Sequence, residues 1–228
     1  MSISTASVRA APMWLACAVT AFVAALLLLL SPASTGNARA GSTQEGPSMG
    51  KVVAFHEAMD KLWTDHVTWT RIVIIDFDAN APDLRPDLAR LLRNQAEIGN
   101  AIKPFYGAAA GRKLTGLLHT HIMEAVPVLA AAKAGDKAKL GRALKAWYAN
   151  AHQIAAFLST ANPNNWPLRA TTKMMNTHLK LTTNEAVAHL KRQWRADIAA
   201  YDRVRDEILM MADTLATGII DQFPEKFA

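Results

Sequence analysis

The sequence predicts an all-α fold, an antiparallel bundle of four to six helices preceded by an N-terminal signal or anchor segment. The chain has 228 residues, of which 51% are hydrophobic and 19% charged, enough for one domain with a sizeable core. From Val52 onward, apolar residues recur every three or four positions, which places them on one side of a helix. Long amphipathic helices joined by short connections form up-and-down bundles.

The first forty residues have the composition of an export signal. They contain two arginines and no acidic residue, and residues 13–30 carry no charge. Ala38-Arg39-Ala40 offers the small-x-small pattern of signal peptidase sites, so we expect cleavage after Ala40 and export to the periplasm or cell envelope. The alternative is an uncleaved membrane anchor formed by residues 13–30, since this apolar run reaches the short end of what spans a bilayer.

The rest of the chain divides into a tether and a bundle. Residues 41–49 are rich in Ser, Gly, Thr, Gln and Pro and predict a flexible tether, which leaves residues 50–228 as the helical bundle domain. The single cysteine, Cys17, lies in the leader, which excludes disulfides and thiolate metal sites from the mature part. The net charge is +6, but no run of five or six basic residues occurs. We therefore expect a solvated surface and no nucleic-acid partner.

Four stretches show the helical spacing clearly, and proline, glycine and a loop separate them. The first runs from Val52 to Phe77, and the second starts at Leu84 and should end or bend at Lys103-Pro104. The third extends from Gly111 to a stop at Gly135. The fourth extends from Leu140 to the turn-rich segment 162–167.

The C-terminal part predicts a short helix over residues 168–180 and a new helix start at Thr182. Thr182 and Glu185 have the spacing of a capping box, in which each side chain binds a free backbone N–H at a helix start. The stripe that follows continues to Gln222 and includes Trp194, Ile198, Tyr201 and Arg205. As one helix it would be about 60 Å long, so we expect a kink or an overhang.

Polar residues interrupt the inward faces of these helices near their middles. They are His66, Gln95, His121 and Arg205. We expect them to converge, because a buried polar group without a partner costs about 1–3 kcal/mol. Inward or flanking positions hold further candidates, which are Thr70, Asn94, Glu124, Tyr201 and Asp202. The prediction is a buried site in which His66, His121 and Glu124 hold a metal ion and the other residues bind a small ligand.

The residue types favour a transition-metal ion as the cofactor but do not identify it. Imidazole binds zinc, copper, iron and nickel. The local motifs of di-iron bundles, zinc proteases and covalent haem are absent from the sequence. The alternative is a polar network that only sets the register of the helices. Glu185 and His189 share a helix face as a second candidate pair, which we expect to be exposed.

Asp76-Phe77-Asp78 has the spacing of the paired carboxylates in nucleotide-sugar transferases. Such enzymes need alternating strands and helices to build the nucleotide site. Here the β-branched run at residues 72–75 is one strand-like segment among helices. We therefore expect these acidic residues to lie exposed in a connection after the first helix.

Five segments are distinctive: His66-Val-Thr-Trp-Thr-Arg71, Leu91-Leu-Arg-Asn-Gln95, Ile98-Gly-Asn-Ala-Ile-Lys-Pro104, Thr182-Thr183-x-Glu185 and Asp221-Gln-Phe-Pro-Glu-Lys-Phe227. Together they resemble a family of small exported bacterial helical proteins of uncertain role, some of them labelled glycosyltransferases. The resemblance spans nearly all of the mature chain.

The resemblance bears on the metal site. Members carry histidines matching His66 and His121, and often a third where this chain has Arg205. If that third histidine serves a metal in those relatives, Arg205 argues against a metal in this chain. Arg205 cannot coordinate a cation, because guanidinium stays charged. It could instead hold an anionic ligand or pair with Asp202 or Glu124.

These observations favour an exported binding protein, and not an enzyme, that holds a metal ion or small ligand at the buried site. The first alternative is a structural or stress-related envelope protein without a ligand. The second is the glycosyltransferase suggested by the family label, which would use Asp76 and Asp78.

Overall fold

Six α-helices and a short 3₁₀ turn make up residues 46–228, the part of the chain that the computed structural model describes. The helices are α1 Met49–Ala79, α2 Leu84–Ala101, α3 Lys103–Lys133, α4 Lys137–Ala161, α5 Leu168–Leu190 and α6 Trp194–Gln222. No strand occurs in these residues, so the predicted all-α bundle is confirmed. The expected signal and residues 41–45 of the tether lie outside the described residues.

Each helix packs against its neighbours in sequence, and α6 packs against α1. Because the connections are short, successive helices run in opposite directions and close into a ring. The odd-numbered helices α1, α3 and α5 also touch one another across the interior. Polar residues at the middle of these three helices are therefore brought together.

One apolar core fills the ring, with residues from all six helices. The described residues 46–228 belong to one compact unit. At one end of the bundle the Ser48 N–H donates to the Phe227 carbonyl at 2.6 Å, and the Phe55 ring contacts the rings of Phe105 and Phe227 at 5.2 Å. These contacts join the two ends of the described chain and close the ring.

The joint between α2 and α3 follows the proline and glycine signals. α2 ends at Ala101 and α3 begins at Lys103, directly before Pro104. Further along, a Cβ added to Gly99 would lie 2.6 Å from the Gly111 carbonyl oxygen. Gly99 and Gly111 therefore allow the two backbones to approach more closely than any larger residues would.

Helix α3 is long and apolar enough to cross a membrane, judged by length and composition alone, and within residues 46–228 no other helix passes that test. It packs between α2 and α4 and buries Leu118 and Ile122. These contacts are typical of a core helix in a bundle.

The predicted helix boundary in the C-terminal part is wrong. α5 continues through Thr182 and ends at Leu190. Thr182 Oγ1 donates to the His178 carbonyl at 3.0 Å, and the Glu185 carboxylate pairs with a side chain of α1, so neither caps a helix start. The break is the three residues 191–193 between α5 and α6, where Arg192 adopts a left-handed φ of 59°.

The misplaced boundary also shifted the predicted inward face of α6. Trp194 and Ile198, expected to face inward, are 49% and 57% exposed. The residues that are buried in the first half of α6 are Asp197, Ala200, Val204 and Glu207. Large apolar residues indicated the wrong side of the helix, because the inward positions carry small or charged side chains. From Ile208 to Ile219 the predicted and observed faces agree, whereas Gln222, at the end of the predicted stripe, is exposed.

Candidate functional site

Three buried histidines, one from each odd-numbered helix, meet in the middle of the bundle. His66 of α1, His121 of α3 and His178 of α5 are each 3–4% exposed. The ring centroid of His178 lies 5.8 Å from that of His66 and 6.3 Å from that of His121. The structure thus places the two predicted histidines in one cluster and adds a third that sequence reasoning missed.

Each histidine is held through Nδ1 by a polar side chain of the next helix, 29 residues later in the chain. The pairs are His66 with Gln95 at 3.2 Å, His121 with Asn150 at 3.0 Å and His178 with Glu207 at 3.0 Å. We call these six residues the histidine layer. In the described part of the chain, no side-chain hydrogen bond involves Nε2 of any of the three rings.

The partners of two histidines set their tautomers. Asn150 Nδ2 donates to the Leu117 carbonyl at 3.1 Å, so Asn150 Oδ1 faces His121 and accepts from Nδ1–H. The Glu207 carboxylate likewise accepts from Nδ1–H of His178. In its neutral form, each of these two rings therefore has a lone pair on Nε2, the atom that can bind a metal ion.

Gln95 favours the opposite tautomer of His66, in which the ring proton is on Nε2. Gln95 Nε2 donates to the Leu91 carbonyl at 2.8 Å and lies 3.1 Å from Asn94 Oδ1. The same amide nitrogen faces His66 Nδ1, which accepts and leaves the ring proton on Nε2. The predicted ligand-binding residues Gln95 and Asn94 thus belong to the site as groups that position His66.

Burial keeps the predicted histidine pair uncharged at neutral pH. Burial, together with the nearby His178 and His121, lowers the pKa of His66 well below its usual value. Burial and His178 lower the pKa of His121 to about 3. Neutral imidazole is the form that coordinates metal ions.

Two apolar cavities flank the three rings. One measures about 50 Å³ and the other about 30 Å³, and all three histidines line both. A single water needs about 10–15 Å³ on this scale. The space therefore suits an ion with a few waters, whereas typical organic ligands need pockets of about 300 Å³ or more.

The rings are farther apart than the ligands of a formed metal site. In residues 46–228, the one set of three His, Asp or Glu ligand atoms within 4.8 Å of one another is Asp76, Asp83 and Asp87. Burial, then the neighbouring Asp87 and Asp83, raise the pKa of Asp76 to about 6. The three histidines do not form such a set. Binding an ion at the histidine layer would therefore require the rings to rotate towards each other.

Two other predicted residues, on α1 and α3, make no side-chain hydrogen bond to the histidine layer's rings. Thr70 lines the larger cavity, and its hydroxyl donates to the His66 carbonyl at 2.7 Å. Glu124, predicted as a metal ligand beside His121, is half-buried and lines neither of these cavities. No carboxylate from α3 therefore reaches the cluster.

The predicted site residues of α6 lie outside the cluster. Arg205 and Asp202 are exposed, because the inward face of α6 passes through Val204 and Glu207. The expectation that Arg205 faces inward is therefore wrong. Tyr201 is half-buried beside α1, where Arg71 lies 4.7 Å above its ring.

A second group of buried polar residues surrounds the turn between α5 and α6. Arg71 donates to Glu185 at 2.8 Å and to both Asp197 oxygens at 2.9 and 3.1 Å. His189 Nδ1 lies 3.1 Å from Asp197 Oδ2, and Arg192 Nη1 lies 3.1 Å from Asp78 Oδ2. We call Arg71, Asp78, Glu185, His189, Arg192 and Asp197 the charged network.

The charged network corrects two expectations. Glu185 and His189, expected to be an exposed pair, are both buried, and so is Asp78. Residues 72–75 are helical, not a strand, and Asp78 is engaged by Arg192. Asp76 and Asp78 therefore lie within α1 and not in an exposed connection after it.

The electrostatics of the network are those of a paired structural cluster. Burial raises the pKa of Glu185 to about 7, although the Arg71 guanidinium opposes this rise. Burial also acts to raise the pKa of Asp197, but the hydrogen bonds from Arg71 and His189 outweigh it and lower that pKa. The carboxylates of Glu185 and Asp197 thus share the Arg71 guanidinium, and Asp78 lies 3.1 Å from Arg192 although its Oδ2 accepts no hydrogen bond.

A spacing in the sequence could have identified His178. Histidine at the middle of a helix, followed 29 residues later by a polar residue, occurs in all three helical hairpins. Met175, His178 and Thr182 also share one helix face. They were missed because the predicted boundary at Thr182 cut this face short.

Comparison with known proteins adds no relative. No protein-family model matches the chain. No curated protein and no solved structure matches it. The functional conclusion therefore rests on the geometry of the site.

Proposed function

We propose that the protein is an exported, non-enzymatic binding protein that holds one transition-metal ion at the histidine layer. The observation that carries this proposal is the meeting of three buried imidazoles, each fixed at Nδ1 by the next helix. Metal-binding histidines use this arrangement, because a partner at one ring nitrogen orients the other towards the ion.

His121 and His178 would be the primary ligands. Their Nδ1–H groups bind the Asn150 oxygen and the Glu207 carboxylate, which leaves Nε2 free to coordinate. The carboxylate also makes the His178 ring a stronger donor to the metal. Glu207 therefore acts as a positioning residue.

His66 would be the third ligand once its proton moves to Nδ1. The buried Gln95 Oε1 has no hydrogen-bond partner in the structure. Rotation of this amide would bring Oε1 to His66 Nδ1, where it would accept a hydrogen bond from Nδ1–H. Nε2 would then carry a lone pair for the metal. The unpartnered oxygen supports a second orientation of Gln95 in the loaded protein.

The donor set favours a borderline metal. Imidazoles bind zinc, copper, nickel and ferrous iron, whereas magnesium and calcium prefer oxygen ligands. The mature part of the chain has no cysteine, so thiolate-dependent sites do not compete. The small apolar cavities also favour an ion over an organic molecule.

A structural role is the second candidate, and one observation favours it. All three histidines already have a partner on another helix, which would set the register of the hairpins without any ligand. The glycosyltransferase alternative has less support, because the described residues contain no strand.

The test is metal analysis, with a visible absorption spectrum, of the protein purified untagged from its native envelope. Two variants are compared with it, His121→Ala/His178→Ala and His66→Ala/His121→Ala. The matched control is His119→Ala/His152→Ala, which removes two exposed histidines from α3 and α4.

We expect near-stoichiometric metal in the wild type and control, and loss of at least nine-tenths of it in both layer variants. Metal that is absent from the wild type and does not bind on addition of Zn²⁺, Cu²⁺, Ni²⁺ or Fe²⁺ would establish the structural role instead. Equal loss in the control would show adventitious binding.

A further inference from the structure

Charge is divided unevenly along the chain. Residues 103–184, which span α3, α4 and most of α5, contain eleven Lys or Arg and two Asp or Glu. The remaining described residues, 46–102 and 185–228, contain twelve basic and sixteen acidic residues. The sequence shows no basic run, because helical spacing separates these residues.

The fold gathers the basic residues on one side of the bundle. Helices α3, α4 and α5 are consecutive neighbours in the ring, so their outer surfaces adjoin. We call their exposed basic residues the basic face; they are Arg112, Lys113, Lys137, Arg142, Lys145, Arg169, Lys173 and Lys180. Across residues 46–228, none of these eight side chains forms an ion pair.

On the opposite side of the ring, most basic residues of α1 and α2 are paired with carboxylates, with Arg85 an exception. On α1 and α2, Lys61, Arg90 and Arg93 each pair with a carboxylate of the same two helices. α4 has no acidic residue, and the one acidic residue of α5 is the buried Glu185. The charges of the basic face therefore remain available to an external anion.

The centre of the basic face is a polar groove between α4 and α5. Arg169, Lys173 and Lys180 line it together with Tyr148 and Asn176. Leu168, 43% exposed, lies next to Arg169 at one end of α5. Basic side chains with an aromatic and an aliphatic residue between them suit a headgroup layer, where both polar and apolar groups are solvated.

We infer that the basic face binds the surface of a membrane rich in anionic lipid. This rests on the proposed export of the protein, which would bring it to phospholipid headgroups, and not on the proposed metal site. The charges cover the outer surfaces of three adjacent helices and are not confined to one stripe. A flat layer of phosphate groups can contact such a broad surface at many points, each cation adding to the attraction.

The experiment measures flotation with vesicles made of equal parts phosphatidylglycerol and phosphatidylcholine. Residues 46–228 are used, since they belong to one compact unit with its own core. The test variant is Arg142→Glu/Lys145→Glu/Arg169→Glu/Lys173→Glu. The matched control, Arg85→Glu/Arg195→Glu/Arg203→Glu/Lys226→Glu, makes the same change in net charge at exposed, unpaired residues of the other helices and the C-terminal turn.

We expect the wild type to bind these vesicles and not pure phosphatidylcholine, with binding falling at least tenfold between about 0.05 and 0.5 M salt. The test variant should lose at least tenfold in partitioning and the control less than threefold. Far-ultraviolet circular dichroism verifies that both variants fold.

Three outcomes would overturn the inference. The first is wild-type binding that does not depend on anionic lipid. The second is an equal loss in both variants, which would show that net charge, not the basic face, governs binding. The third is tighter binding to a duplex DNA oligonucleotide than to the vesicles under the same salt, which would identify a nucleic-acid surface.

Discussion

The histidine layer and the charged network are both buried polar clusters, yet they differ in what their atoms leave unused. In the network, each charge has an opposite charge nearby, as Arg71 has in Glu185 and Asp197. In the layer, burial keeps His66 and His121 neutral, each of the three rings uses one nitrogen, and two cavities adjoin the rings.

This difference shows which kind of buried polarity indicates a ligand. Burying a charge is costly, so a network of charges must be complete within the protein to be stable. Neutral imidazoles cost less to bury and can keep an unused donor atom beside empty space. The unused atoms and the cavities, and not burial alone, distinguish the layer as the candidate site.

The largest expected effect follows from breaking the network at Arg71. Arg71→Met would leave Glu185 and Asp197 without their shared cation and should lower the free energy of unfolding by about 3 kcal/mol. Urea unfolding of the metal-free protein measures this. Arg203→Met, an exposed and unpaired position on α6, is the control and should change stability by less than about 0.5 kcal/mol. A loss below about 1 kcal/mol in Arg71→Met would contradict the structural role of the network.

A smaller loss is expected when the layer is broken at His121. His121→Leu fills similar space but leaves Asn150 Oδ1 without its donor, which costs about 2 kcal/mol in the metal-free protein. Added metal should increase the difference in stability between the wild type and His121→Leu. At a free metal concentration of about one hundred times Kd, a bound ion stabilises the wild type by about 2.7 kcal/mol. The variant should gain little stability from the metal. Equal stabilisation of both by Zn²⁺ would place the ion elsewhere.

The layer also shows what sequence periodicity can predict. His66, Gln95 and His121 were assigned to inward faces because each lies within a regular apolar stripe, and all three are buried in one cluster. Local signals also gave the ends of α2 and α3, through Pro104 and through Gly135 with its positive φ of 67°. At these positions of α1, α2 and α3, spacing alone was enough to determine the inward face, whereas in the first half of α6 it was not.

The turn between α5 and α6 shows what periodicity cannot predict. No glycine or proline marks it, and Arg192 adopts the left-handed conformation there. Its guanidinium contacts Asp78 on α1 and lies 5.5 Å from the Trp194 ring. Because these partners are distant in sequence or follow the break, the turn depends on tertiary contacts. The errors at Thr182 and Arg205 both followed from missing it.

A third variant distinguishes loosened packing from loss of the site. Gly99→Ala would push a Cβ towards the Gly111 carbonyl and force α2 and α3 apart, at a cost of about 1–2 kcal/mol. The layer residues are unchanged, so metal content should stay near that of the wild type. Gly116→Ala on α3, where a Cβ meets nothing within 4 Å, is the control and should be neutral or stabilising. If the Gly99→Ala variant were fully folded but had lost its metal, binding would depend on packing in general.

The pH dependence of stability should be the smallest effect in the wild type, because the two clusters oppose each other. His121 has a pKa of about 3 in the folded protein and 6.5 when unfolded, so the unfolded chain takes up the proton first and stability falls as pH drops below 6.5. Glu185 has a pKa of about 7 folded and 4.5 unfolded, so its contribution is present at low pH and is lost as pH rises through 7.

Substitution of one cluster at a time should reveal the two opposing slopes. In Glu185→Gln, stability should rise with pH between 4.5 and 6.5 more steeply than in the wild type, because the histidine contribution is then unopposed. In His121→Leu, the same range should show a shallower rise or a fall. Urea midpoints of the metal-free proteins across this range measure both slopes. Parallel curves for Glu185→Gln and the wild type would mean that Glu185 does not gain a proton on folding, and that Arg71 outweighs the effect of burial on its carboxylate.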